Sequence, residues 1–559
     1  MKVFSFDIFD TLLLRPYVNP QDVWQELEIQ EKAAGFASAR KMADEQTFAD
    51  AIAHGRETTL DAAYRIMPAR YAHLMQKEMD WERRILSPNP ELKSMWEEIG
   101  GQGIRRVIVS DMYMPKSFIE GVLVANGFAD YDALYLSSDQ GVRKSTGKLF
   151  EVMLQQEGVS PAEVCHVGDN EESDVVVPQK LGMHVRPYKK VTEQFFEMFP
   201  FARNVDKSIA GLLALGWHYY RCEHRLQFGE EPSYWNRIGY MFGGVLGYVY
   251  VSWIVKVAKE RGIGRLLFVA RDGYVWQRIC NELYPEMQTD YIYAPRVASI
   301  AVLGAVGADP VAIGDRLSYY KEHFEGRDVK TVADEYKKYI GQYHIDEHTA
   351  IVDGCSSGFS AQRLIENAIG HPVFSCYLLS MAQHRNAAAL FSTHLYPLPF
   401  QHLVEFMFGA PENPVREIVD GRPVYETEVA PQEQFKIGVS REVADGASKS
   451  ASWLHQYVFS MHPRQWIHYS DSFMEHLTDE DLENLEKAQN APDVRQKYFT
   501  SVIWRPQSRP QEIVIRRVGR AAFRIKVSCG CFTDVFFISP REFHREHKSW
   551  RVRYMIINK

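Results

Sequence analysis

What most constrains this chain is a strict alternation of short apolar stretches with helix-patterned stretches of about ten residues. An opening apolar strand is predicted over residues 2–9. Further strands are predicted over residues 105–110, 133–137 and 163–167, and helices over 115–126, 147–156 and 173–181. Strands alternating with helices in this way imply parallel βαβ units and a doubly wound α/β sheet. In such sheets ligands bind beyond the carboxyl ends of the strands, so those ends are the places to look for chemistry.

Between the first two predicted strands lies a long insert, helical from residue 21 to about 100, whose main turn signals are Gly55 and Pro68. A second α/β region is expected over 201–430, a polar helical segment over 431–500 and a small β-rich unit over 501–559, with the first domain ending near 195. At roughly 150 residues per domain, a chain of 559 residues fits three or four domains. The second region holds an apolar strand running into Arg271-Asp272-Gly273, and another running into a Gly/Ser loop at Asp353-Gly354-Cys355-Ser356-Ser357-Gly358.

Composition excludes several functions. The net charge of −8 argues against nucleic-acid binding by the chain as a whole. Residues 501–559 are the exception, with 13 Lys+Arg against 4 Asp+Glu. Such a tail is usually a solvated face, and docking on anionic lipid is its other reading. Cys165, Cys222, Cys280, Cys355, Cys376, Cys529 and Cys531 are odd in number and form no CxxC pair, so neither a disulfide framework nor a zinc site is signalled. The N-terminal residues lack the pattern of a secretion signal, and a cytoplasmic location is the expectation. Residues 238–255 carry no charge and place Gly239, Gly243 and Gly247 at GxxxG spacing. That stretch is just long enough to span a membrane. Its tyrosines, and the strand soon after it, favour a buried helix that a neighbouring element approaches at the glycines.

Four polar segments appear in chain order, three of them at predicted strand ends. They are Asp7-Ile8-Phe9-Asp10-Thr11-Leu12, Ser110-Asp111, Lys144 to Phe150, and Gly168-Asp169-Asn170 with Asp174 five residues after Asp169. This is equipment for phosphoryl transfer. A carboxylate can attack phosphorus to give an acyl phosphate, dividing one hard displacement into two easier ones. Clustered carboxylates repel unless a hard cation sits among them, and Mg²⁺ accepts one or two carboxylates plus substrate oxygens. A hydroxyl and an ammonium complete the cradle for the equatorial oxygens.

The order of these motifs over residues 1–190 resembles the haloacid dehalogenase (HAD) superfamily. That resemblance implies a HAD Rossmann-like fold with a helical C1 cap over about residues 15–100. It implies that Asp7 is the nucleophile, Ser110 the phosphate-binding hydroxyl and Lys144 the phosphate-binding cation, with Lys148 as the second candidate. Mg²⁺ would be held by Asp7, the Phe9 carbonyl and Asp169, with Asp174 orienting that shell. The implied activity is hydrolysis of a small phosphorylated substrate, a sugar phosphate or related metabolite. The wider pattern of motifs resembles large bacterial HAD hydrolases associated with capsule or other surface-polysaccharide synthesis, with glycosyltransferases as implied partners.

One departure matters. The position two after the nucleophile, usually the acid that protonates the leaving oxygen in phosphatases of this family, holds Phe9, and an aspartate follows at Asp10. Either Asp10 or Asp111 supplies the proton, or the leaving group needs none. Dehalogenases of the family lack this acid too, but they also lack the acidic cluster that the segment Gly168–Asp174 keeps. Outside the motifs, Asp272, Asp353 and Glu405 read equally as functional or structural carboxylates. His544 and His547 share a helical spacing but lack further ligands.

Overall fold

The computed structural model describes residues 1–54, 57–305, 326–356, 358–380, 384–392, 398–457, 459, 461–490, 500–502, 512–518, 522–529 and 532–537. His544, His547, Ser357 and Cys531 lie outside the described residues, as does most of the basic tail. Two compact units divide the chain: residues 1–199 with 205–230, and residues 200–204 with 231–559.

The first unit is built on an all-parallel sheet of β1 (Val3–Phe6), β2 (Arg105–Ser110), β3 (Ala133–Leu136), β4 (Val164–Gly168) and β5 (His184–Pro187). Its strand order is β3-β2-β1-β4-β5. Both faces are covered, which is why the strands read as continuous apolar runs. On one side Val3, Val107, Val109 and Val164 pack with Leu149, Phe150 and Met153. On the other, Phe6 and Ile108 pack with Trp96, Ile119 and Phe128. The register sets Phe6 beside both Ile108 and Val167. Strands advance about 3.3 Å per residue, so Asp7, Ser110 and Asp169 leave the sheet within a residue or two of the same level. The chain runs from β1 to β2 on one side and later returns to β4 on the other, so β1 and β4 form the topological switch point.

The insert resolves into α1 (Asp22–Gln30), α2 (Phe36–Ala53), α3 (Leu60–Ile66), α4 (Leu74–Ile85) and α5 (Pro90–Gly101). Pro68, one of the turn signals in the sequence, marks a boundary, and Gly35, with φ 83°, and Asn89 mark others that the helical reading did not single out. A buried polar knot pins the insert: Arg40 donates to Glu78 through Nε at 3.0 Å and Nη2 at 3.1 Å, while Trp24 and Tyr64 donate to the same carboxylate.

The second unit carries a second all-parallel sheet, of β6 (Arg265–Val269), β7 (Gln288–Ile292), β8 (Thr349–Ser356), β9 (Phe374–Ser380) and β10 (Ala387–Ser392), in the order β10-β9-β8-β6-β7. Its switch point lies between β6 and β8. Three antiparallel strands, Glu512–Val518, Ala522–Cys529 and Phe532–Phe537, form the small β-rich part of the C-terminal region.

Residues 234–260 form, among the described residues, one helix long and apolar enough to cross a membrane, and 89% of its most apolar window is buried inside the protein. Gly239 and Gly243 face the helix Pro431–Gln456, whereas Gly247 is approached by Ile279. A Cβ at Gly239 would lie 2.8 Å from Val443 Cα, and one at Gly243 would lie 3.3 Å from Ala447 Cβ. The GxxxG spacing therefore serves a close helix crossing within this unit.

Candidate active site

Asp7 and Asp174 of the first unit converge on one ammonium. Lys144 sits in the turn before the helix Lys148–Glu157 and is buried, with its Nζ 2.7 Å from Asp7 Oδ1 and 2.6 Å from Asp174 Oδ1. Lys148, the other candidate for this role, is exposed. The turn is held by Asp111, whose Oδ1 accepts from the Lys144 backbone N–H at 2.8 Å. Arg143 faces Glu57 of the insert at 3.2 Å, tying the same turn to the residues above it.

Asp174 is gripped from three sides. It accepts from Lys144, from His166 Nε2 at 3.0 Å and from the Asn170 backbone N–H at 3.0 Å. A carboxylate only accepts, so His166 carries a proton on Nε2, while its Nδ1 lies 2.8 Å from the Ser5 hydroxyl. The segment reaches this position through a π turn over Glu171–Val176, capped by the Asn170 side chain, where an ordinary helix was expected from residue 173. Gly168 leaves the room: a Cβ there would lie 2.5 Å from Asp174 Cγ.

Asp169 accepts from the Thr11 hydroxyl at 2.9 Å and faces Lys190 Nζ at 3.3 Å. Asp7, Asp169 and Asp174 each offer an oxygen within 4.8 Å of the others, a set able to hold a metal ion. Ser110 is buried at the end of β2, beside Asp7, whose carboxylate pKa it acts to lower. Asp10 takes a left-handed backbone, φ 57°, which aspartate tolerates better than most residues, and its N–H donates to the Leu13 carbonyl. Phe9 is half-buried, and the Arg15 guanidinium lies 4.8 Å from its ring centre.

The electrostatics follow from this geometry. Burial raises the pKa of Asp7, against the opposing pull of Lys144. Burial alone would lower that of Lys144, but Asp7, Asp174 and Asp111 together hold it above its ordinary value. Asp174 is held low, Lys144 and His166 outweighing burial. Asp169 is pushed up to about 7 by burial and by the neighbouring Asp7 and Asp10 carboxylates.

Lys190, His166 and Ser5 had not been singled out in the sequence, and Thr11 stood in the first motif without a role assigned to it. His166 and Ser5 carried a signal, since a polar residue inside an apolar strand is informative when buried. Lys190 carried none, because only the fold brings it to Asp169.

In the second unit, Asp272 follows β6 and Asp353 lies near the end of β8, on the two sides of the second switch point. Burial and Glu405 push Asp272 up to about 7, and burial pushes Asp353 up to about 6. Lys436, buried and hydrogen-bonded to Asn490 at 3.0 Å, is pushed down to about 8 by burial and Arg271. The structure therefore brings together Asp272, Asp353 and Glu405, three residues that the sequence left undecided.

Residues 1–182 match the family of haloacid dehalogenase-like hydrolases. The match covers four of the first sheet's five strands and all four motif segments. Solved structures similar to the chain include an L-2-haloacid dehalogenase from Xanthobacter autotrophicus, at 19% identity, 35% of this chain, 83% of that one and a TM-score of 0.27. They also include a HAD phosphatase from Thermococcus onnurineus, at 22% identity, 33% of this chain, 85% of that one and a TM-score of 0.25.

Proposed function

We propose that the HAD-like region is a Mg²⁺-dependent phosphatase acting on a small phosphorylated metabolite, with phosphorylated sugars the first class to try. The observation that carries this reading is the Asp7 carboxylate 2.7 Å from the buried Lys144 ammonium, within a metal-competent set of three carboxylates. The donor set suits a hard cation, being all oxygen and crowded enough to raise Asp169 to about 7. Asp7, Asp169 and the Phe9 carbonyl would hold Mg²⁺, while Asp174, already gripped by three donors, orients Lys144. When bound, the ion supplies charge neutralisation to the phosphoryl oxygens.

The protein's own groups do the rest. Asp7 Oδ attacks phosphorus, the bond from phosphorus to the leaving oxygen breaks, and an aspartyl phosphate forms on Asp7. Lys144 and Ser110 hold the phosphoryl oxygens as charge builds on them. Water then attacks the aspartyl phosphate, restoring the Asp7 carboxylate and giving its proton to the departing phosphate. The helical insert admits substrate and excludes bulk water as it opens and closes.

A place beside glycosyltransferases of surface-polysaccharide synthesis belongs to the same proposal and rests on the sequence resemblance; a cytoplasmic setting rests on the N-terminal pattern, and membrane association on the charge of the basic tail. A second reading has phosphoryl transfer to an acceptor other than water. The half-buried carboxylates Asp272, Asp353 and Glu405, with the buried Lys436, at the second switch point favour it. Phosphate release from a panel of phosphorylated sugars, with Mg²⁺ or EDTA, tests the first reading. Product formed only when an acceptor is added would support the second.

A further inference from the structure

Arg15 is the buried charge that the mechanism above leaves unused. Its side chain is only 4% exposed. Its one ion pair, to Glu82 Oε1, is 3.6 Å long, beyond hydrogen-bond distance, and its buried Nε has no hydrogen-bond partner among the described residues. Burying a guanidinium with idle donors costs several kcal/mol unless something accepts from them. The place is informative. The guanidinium lies 4.8 Å from the ring centre of Phe9, two residues beyond the nucleophile, and interacts electrostatically with Asp10 and Asp169.

An arginine cannot serve as a proton donor, because it stays charged at any working pH. What it offers is a planar fork of N–H groups matched to the oxygens of a carboxylate or phosphate. A ring and a fixed cation therefore meet at the position two after the nucleophile, where a proton donor would help an alkoxide to leave. We propose that Arg15 binds the leaving group as an oxyanion, so that the phosphatase proposed above cleaves phosphoanhydrides in preference to alkyl phosphates.

This inference rests on that phosphatase reading and narrows its substrate. Asp7 Oδ forms a bond to the terminal phosphorus. The bridging P–O bond breaks, its electron pair passing to a leaving phosphate that departs without gaining a proton, its charge met by Arg15. Water then cleaves the aspartyl phosphate, regenerating the Asp7 carboxylate and releasing dihydrogen phosphate.

The test measures phosphate release by the purified full-length protein with Mg²⁺. Inorganic pyrophosphate and adenosine diphosphate are compared with glucose 6-phosphate and glycerol 3-phosphate. The wild type is expected to favour the anhydrides in kcat/KM by about 10²-fold or more, since general acid catalysis is worth roughly 10²–10⁴. Arg15→Gln and Arg15→Lys should both shrink that preference, the lysine keeping a charge opposite Glu82 should the glutamine fail to fold. Phe9→Asp should raise turnover of the alkyl esters. Equal turnover of the two classes by the wild type, or a loss in Arg15→Lys that is the same for both, would overturn the role of Arg15. Release from alkyl phosphates alone would also overturn it, while leaving the phosphatase reading intact. No metal-dependent release from any compound would refute the phosphatase reading, and this inference with it.

Discussion

One ammonium, Lys144 Nζ, lies 2.7 Å from Asp7 and 2.6 Å from Asp174, joining the end of the first strand to the loop after the fourth. Its removal leaves two buried carboxylates without their shared cation. Breaking a buried ion pair by deleting one partner costs about 3–5 kcal/mol. Lys144→Met is therefore expected to lower the denaturant midpoint clearly and to cut phosphate release by about 10²-fold or more. An unchanged midpoint would mean that the two carboxylates are not held by this lysine in solution.

Gly168→Ala tests the packing behind that ammonium. A Cβ at this position would come within 2.5 Å of Asp174 Cγ, so the carboxylate has to shift away from Lys144 and His166. Positional errors of about 1 Å can cost 10²-fold in rate. The expected outcome is a folded protein whose kcat falls at least about tenfold, with weaker Mg²⁺ binding by calorimetry. Wild-type kinetics would show that the close approach is not needed.

His218 gives the first unit a dependence on pH. It is buried and donates through Nε2 to Asn89 Oδ1 at 3.0 Å, and Asn89 Nδ2 donates to the Thr11 carbonyl at 2.8 Å. Burial pushes the imidazole pKa down to about 3 in the folded protein. The unfolded imidazole takes up its proton near pH 6.5. Between those values the unfolded state binds more protons, so this group lowers stability as the pH falls from about 6.5 toward 3. His218→Gln keeps a donor toward Asn89 without the titration. Denaturant midpoints measured from pH 7 to pH 4 should fall less steeply for the variant. Identical slopes would contradict the account.

How much of this was legible in the sequence differs from element to element. The strand at Arg105–Ser110 has the predicted bounds, and those at Ala133–Leu136 and Val164–Gly168 lie within a residue of them. Strands buried on both faces leave an unambiguous apolar run, and their parallel register brings the polar residues at their ends to one level. The opening strand is shorter than its apolar run, because the chain turns at Asp10. The glycines at 239 and 243 announced a close approach but not its partner, which lies about 200 residues further along the chain, while Gly247 is approached by Ile279 instead. Lys190 beside Asp169 was illegible because only the fold brings that lysine to the strand end. His166 was legible as a polar residue in an apolar strand, but its partner Asp174 and the contact of Arg15 with Phe9 depend on turns that the local pattern does not show.

The central claim is that Asp7 attacks phosphorus in a metal-dependent phosphatase. The most direct measurement is phosphate release from phosphorylated sugars, p-nitrophenyl phosphate and pyrophosphate, by the wild type and Asp7→Asn, each with Mg²⁺ and with EDTA. The account predicts turnover by the wild type with Mg²⁺ and none in the other three conditions. Release by folded Asp7→Asn, or undiminished release in EDTA, would contradict it.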